Sequence, residues 1–170
     1  MSFLSRIFGR PRGWARYQPL YDAIVQVSRD PAWYLEGEVP DTVTGRFDMI
    51  AAVFAIVVVR TEKEGAAGVR ATAMLTEIFV ADMDGSIRQL GIGDLMVGKH
   101  LGRMMAALGG RIGAFRDVDD LTPPVRRNIF HEAPPSEDAV HFVSARLEAF
   151  RTRLAAAPAE QILGGTLPSL

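Results

Sequence analysis

An uninterrupted apolar run, MIAAVFAIVVV at residues 49–59, constrains the fold more than any other feature of this chain. The run is shorter than the roughly 20 apolar residues that span a bilayer, so it predicts a buried helix and not a membrane anchor. Four β-branched residues at 56–59 favour a strand by propensity, but the segment, which closes at Gly65, is too long for a typical strand. We therefore predict a helix over residues 44–63 that is apolar nearly all round, as in the centre of a bundle.

The segments on either side of this run predict further helices, because their apolar residues recur at intervals of three and four. The predicted helices cover residues 17–28, 69–90, 95–116, 125–130 and 137–157, with Ser136 as the N-cap of the last. We therefore predict an all-α fold, in which about five to six helices form a single-domain bundle over residues 17–170.

Composition limits the classes of function that this chain can have. The net charge of −1 gives no electrostatic attraction for nucleic acid, which we do not expect as a partner. The absence of Cys rules out disulfides and thiolate chemistry, and fits a reducing compartment. The His residues at 100, 131 and 141 are never three or four positions apart, and no Gly-x-Ser-x-Gly motif is present. We predict no catalytic residue, no metal and no cofactor.

Residues 1–16 form a distinct basic leader in which apolar side chains share one helical face. Arginines interrupt its apolar residues, so it does not have the continuous core of a secretory signal. Two interpretations stay open: packing against the domain, or contact with an anionic membrane surface. The candidate membrane-contact residues are Phe3, Leu4, Arg6, Ile7, Phe8, Arg10 and Arg12. We expect a cytoplasmic protein, with peripheral contact at the inner membrane as one possibility.

The spacing of Gly93, Gly98 and Lys99 imitates a phosphate-binding P-loop. However, His100 stands where the metal-binding Ser or Thr is required, and the preceding residues are polar and helix-like instead of strand-like. A nucleotide-binding enzyme is therefore only an alternative interpretation.

Two polar details are predicted for the helices. At 100° per residue, Asp82 falls near the middle of the inner face of the helix at 69–90, so we expect it to be buried with Arg88 or Arg46 as partner. Asp41 and Asp94 are candidate N-caps of the helices that follow them.

A stripe of small residues runs along the helix predicted at 95–116. Its members are Gly102, Ala106, Gly109 and Gly113. Such a stripe indicates close packing of soluble helices or a groove for a partner helix, and we favour close packing.

Three blocks of sequence carry a resemblance to a known family. MDGSIRQLGIGDLMVGK at 83–99, VPDTVTGRF at 39–47 and IVQVSRDPAWY at 24–34 together resemble the ubiquinol–cytochrome c chaperones, bacterial relatives of a mitochondrial assembly factor for respiratory complex III. The resemblance implies a helical, non-enzymatic protein that helps to build complex III by holding newly made cytochrome b or another subunit. A structural subunit of a hetero-oligomer is a further alternative.

The resemblance also implies a set of candidate partner-binding positions, for which we favour surface contacts at Asp84, Arg88 and Lys99. The full set is Asp41, Arg46, Phe47, Asp82, Asp84, Arg88, Gly93, Asp94 and Lys99.

Overall fold

The computed structural model describes residues 13–89, 94–116, 118–131 and 134–170 of the chain, and every regular element in these ranges is helical. The helices are α1 (Trp14–Ser28), α2 (Ala32–Leu35), α3 (Val43–Thr61), α4 (Gly65–Gln89), α5 (Asp94–Arg116), α6 (Thr122–Ile129), α7 (Glu137–Ala156) and α8 (Ala159–Leu163). A 3₁₀ turn, Glu62–Glu64, joins α3 to α4. The predicted all-α class is confirmed.

Helix α3 lies at the centre of the bundle, as its sequence predicts. Every residue from Asp48 to Val58 is buried, and α1, α4, α5, α6, α7 and α8 all pack on it. The helix begins at Val43, where the Thr42 hydroxyl accepts a hydrogen bond from the Gly45 amide at 3.1 Å. The predicted cap, Asp41, is therefore wrong, because the chain enters the helix one residue later.

Helices α1 and α7 bury the apolar stripes that their sequences predict. In α1, Leu20 and Ile24 are fully buried. In α7, the buried seam is Val140, Val143, Leu147, Phe150 and Leu154. The predicted N-cap of α7 is confirmed, since the Ser136 hydroxyl accepts a hydrogen bond from the Ala139 amide at 3.1 Å.

The prediction for the acidic residues of α4 is wrong. Asp82 is exposed and accepts a hydrogen bond from the Tyr21 hydroxyl at 2.7 Å, whereas Asp84 is buried. The reason is that the buried positions of α4, which packs on α1, α3 and α5, move around the helix axis along its length. In its first half the buried positions include Ala71 and Leu75, but in the last turns they are Met83, Asp84 and Ile87.

Candidate partner-binding face

The outer face of α5 is rich in glycine, which the folding of the helix does not require. The helix contains Gly98, Gly102, Gly109, Gly110 and Gly113, and each glycine inside a helix costs about 1 kcal/mol relative to alanine. All of them are exposed, and a Cβ atom added to any one of them would meet no heavy atom within 4 Å. The predicted close packing of the small-residue stripe is therefore wrong. Together with the exposed Ala106, these residues are called the glycine face below.

Positive charge flanks the glycine face. Lys99 and Arg103 are both exposed on α5, and residues 95–116 contain no Asp or Glu. A helix surface without bulky side chains allows the backbone of another helix to approach closely. After Asp94, its first residue, α5 therefore has no carboxylate that would repel an acidic group beside that helix.

The inner side of α5 is attached to the bundle through a buried ion pair. A guanidinium Nη2 of Arg111 donates to Asp48 Oδ1 on α3, and the same nitrogen donates to the Asn128 carbonyl of α6 at 3.0 Å. The two side chains are only 8% and 2% exposed. Burial lowers the pKa of Arg111, and the neighbouring Asp48 carboxylate opposes that shift.

Phe47, a predicted partner-binding residue, lies beneath this ion pair. The Arg111 guanidinium carbon is 5.3 Å from the centre of the Phe47 ring, within the range of a cation–π contact. On its other side, the ring centre of Phe47 is 6.0 Å from that of Phe79 on α4. Phe47 therefore ties α3, α4 and α5 together, and only part of it is exposed.

Four of the other predicted residues form two local ion pairs. Arg46 Nε lies 2.6 Å from Asp41 Oδ1, with both side chains more than half exposed, and this bond lowers the pKa of Asp41. Arg88 Nε lies 2.9 Å from Asp84 Oδ2 within α4. In that pair Arg88 is exposed, but Asp84 is buried. The predicted surface position of Asp84 is therefore wrong, because the residue belongs to the buried face of α4.

Comparison with known proteins places these features in a family. The sequence model for the ubiquinol-cytochrome C chaperones matches residues 36–168. The chain belongs to this family. It is also similar to the Cbp3 homolog from Brucella abortus, whose crystal structure superposes with a TM-score of 0.80 at 27% identity, covering 92% of this chain and 89% of that one. Comparison with curated proteins gives no match.

Membership of the ubiquinol-cytochrome C chaperone family identifies the protein as a chaperone or assembly factor for complex III. The resemblance inferred from the three sequence blocks is thereby confirmed. The role of the family is non-enzymatic, and its partners are components of complex III.

The P-loop interpretation does not fit the geometry of this family member. Gly98 and Lys99 lie inside α5, whereas a phosphate loop needs its backbone amides turned towards the ligand instead of bonded within a helix. Gly93 lies outside the described residues, as do the leader residues at 1–12 and the side chain of Asp94. The exposed Lys99 is therefore interpreted as part of the surface beside the glycine face.

Sequence reasoning missed the residues that attach this face to the bundle. Asp48 directly precedes the apolar run of α3, and Arg111 interrupts the apolar side of α5 between Leu108 and Ile112. A charge within an apolar stripe is a signal for a buried ion pair, because a buried charge requires a partner. That signal was available for both residues, although the sequence does not show that they face each other across 63 positions.

A cleft of about 830 Å³ lies where the C-terminal ends of α3, α5 and α7 meet. Its arginines are engaged in holding the helix ends: Arg60 donates to the carbonyls of Leu154 and Ala157, and Arg151 donates to that of Asp119 at 3.0 Å. Leu154 and Ala157 lie at the C-terminal end of α7, and Asp119 lies in the loop between α5 and α6. The cleft is therefore explained by the folding of the bundle.

Metal sites and membrane-spanning helices were also sought in the described ranges. Within them, no group of three or more His, Asp or Glu side chains is arranged to hold a metal ion. No helix in the same ranges combines the length and the apolar character needed to cross a bilayer.

Proposed function

We propose that this complex III chaperone binds newly made cytochrome b, and that the glycine face of α5 receives one of its apolar helices. The observation that supports the proposal is the exposure of five glycines in the middle of a helix, where a Cβ atom would contact nothing within 4 Å. Their cost to helix stability, about 1 kcal/mol each, is not offset by any packing in the described bundle. A partner that needs close approach would account for them.

The spacing of the small residues fits a helix as the ligand. Gly98, Gly102, Ala106, Gly109 and Gly113 recur at intervals of three and four, so they form one continuous strip along α5. In membrane helices, strips of this kind allow backbones to approach and gain van der Waals contact. An apolar helix of cytochrome b that has not yet reached its own neighbours offers such a partner.

Exposed charged residues of α3, α4 and α5 would then position the client. We propose that Arg46, Arg88 and Lys99, which are exposed, contact polar segments of the partner. Asp41 and Asp84 accept from Arg46 and Arg88 at 2.6 and 2.9 Å and would hold them in place.

Capture of cytochrome b by the full-length chain tests the proposal. In cells that make tagged chaperone, we expect cytochrome b to co-purify with the wild-type chain and to be lost from the Gly102→Leu/Gly109→Leu variant, whose side chains would fill the strip. Ala73→Leu is the matched control, because Ala73 is exposed on α4 and is not part of the glycine face. Equal capture by all three proteins, with intact complex III in a deletion strain, would contradict the proposed function.

We further propose that the leader holds the chaperone at the cytoplasmic face of the inner membrane, where cytochrome b is inserted. The support lies in its sequence, in which Phe3, Leu4, Ile7 and Phe8 alternate with basic residues at 6, 10 and 12. Each basic residue near an anionic surface contributes about 1 kcal/mol, and salt screens this attraction. Flotation with anionic vesicles should therefore require residues 1–12 and weaken as salt is added. Flotation that is unaffected by both changes would argue against the leader as the membrane contact.

A further inference from the structure

The attachment of α5 to the bundle contains few buried side chains. Among the described side chains of this helix, those that are buried are Val97, Leu108, Arg111 and Phe115. The apolar residues Leu101, Met104, Met105 and Ile112 pack on the core while remaining partly exposed. One of the four buried anchors of a 23-residue helix is therefore a charged residue.

The apolar contacts between α5 and the bundle do not fix the rotation of α5 or its position along its axis. Apolar contacts are non-directional, and methionine side chains adapt to altered surfaces. The opposing helix, α3, is apolar nearly all round, and alanines at 51, 52 and 55 are among its fully buried residues. A rotated or shifted α5 would still bury apolar surface against it.

The Asp48–Arg111 contact, in contrast, forms at only one position of α5. Arg111 donates to Asp48 on α3 and to the Asn128 carbonyl on α6, and it lies over the Phe47 ring. One residue of helix corresponds to about 100° of rotation and 1.5 Å of rise, and one turn to about 5.4 Å. Any such step would separate the guanidinium from these partners and leave a buried charge without compensation.

We propose that Asp48 and Arg111 are positioning residues that fix the register of α5 on α3, and with it the orientation of the glycine face. Buried ion pairs commonly add little net stability over apolar residues of similar volume, whereas a buried polar contact can specify one register. The consequence for client binding rests on the function proposed above, but the inference about the register of α5 is independent of that function.

The register is tested by a distance measurement on the full-length chain. The sequence contains no Cys, so Lys99→Cys on α5 and Ala73→Cys on α4 introduce the only two thiols, and both positions are exposed. Spin labels at these thiols should give one narrow distance distribution in the otherwise unchanged protein. In the Asp48→Val/Arg111→Met variant we expect the protein to remain folded and to show a second population, displaced by up to about 5 Å for a slip of one turn.

Two control variants make the result specific. Arg126→Ala/Glu137→Ala removes an exposed ion pair between α6 and α7 and should leave the distribution unchanged. Arg111→Lys keeps the charge opposite Asp48 and should retain the narrow distribution, as expected if that charge selects the register.

Each outcome decides the proposal. An unchanged narrow distribution in the double apolar variant would overturn it, and so would loss of folding in that variant, because the pair would then be needed for stability and not for register. Capture of cytochrome b by the unlabelled double variant separates the two proposals. A broadened distribution with unchanged capture would retain the positioning role and reject the glycine face as the binding surface.

Discussion

Gly45 of α3 and Gly68 of α4 lie against neighbouring backbone, whereas the described glycines of α5 have open space beside them. A Cβ atom at Gly45 would lie 2.0 Å from the Pro40 carbonyl oxygen, and one at Gly68 would lie 1.8 Å from that of Thr61. The glycines of α5 would meet nothing within 4 Å. Glycine at the first two positions is required by the packing of backbone on backbone. On α5 it is not required by the described bundle, and this difference points to a partner.

The largest effect on stability is expected at the buried ion pair between α3 and α5. Asp48→Asn should lower the free energy of unfolding by about 3–5 kcal/mol, because Arg111 would remain buried without its counter-charge. Denaturant unfolding measures this change. Asp41→Asn is the control, since the Asp41–Arg46 pair is exposed and its loss should be close to neutral. A neutral Asp48→Asn variant would mean that the interior tolerates the unpaired arginine.

The second effect on stability compares a glycine packed against backbone with a glycine that has open space beside it. Gly68→Ala should destabilise the protein by about 1–3 kcal/mol, the usual range for overpacking, because its Cβ would collide with the backbone at Thr61. Gly85→Ala in the same helix is the matched control, since nothing lies within 4 Å of its added Cβ. That variant should be neutral or more stable. Thermal unfolding of the two variants in parallel gives the comparison, and equal effects would remove the distinction.

The third effect is a gain in stability. Gly102→Ala and Gly113→Ala on α5 should each raise the free energy of unfolding by up to about 1 kcal/mol, because alanine is the better helix former and each Cβ has room. Capture of cytochrome b should fall in the same variants, since the added methyl groups hold a partner helix further away. Destabilisation by either substitution would show that these glycines do serve the folding of the chain.

Local patterns predicted the fold well. The apolar run of α3 and the Ser136 cap of α7 are properties of short stretches of sequence, and both were found as predicted. Asp82 was misplaced because a single straight buried face was assumed for α4, whereas its buried positions move around the helix axis along its length. The Asp48–Arg111 pair joins residues 63 positions apart, so only the packing of α3 against α5 reveals it. A stripe of glycines has the same sequence whether it is covered or exposed, and its environment is therefore visible only in the structure.

The smallest effect concerns the loop that supplies the backbone contact at Gly45. In the same loop, two residues before Pro40, the Glu38 carboxylate accepts hydrogen bonds from the amide and hydroxyl of Ser136 at 3.1 and 2.9 Å. These bonds lower the pKa of Glu38. Because the pKa is lowered on folding, the contribution to stability is present above the ordinary value of 4.5 and is lost as the pH falls through the lower value of the folded protein. Glu38→Gln should therefore be slightly less stable than the wild type at neutral pH, and the difference should shrink as the pH falls to about 3. Melting temperatures across this range measure the difference, with the exposed neighbour Glu36→Gln as control. Parallel pH profiles for the Glu38→Gln and wild-type proteins would show that Ser136 does not hold this loop through the charge of Glu38.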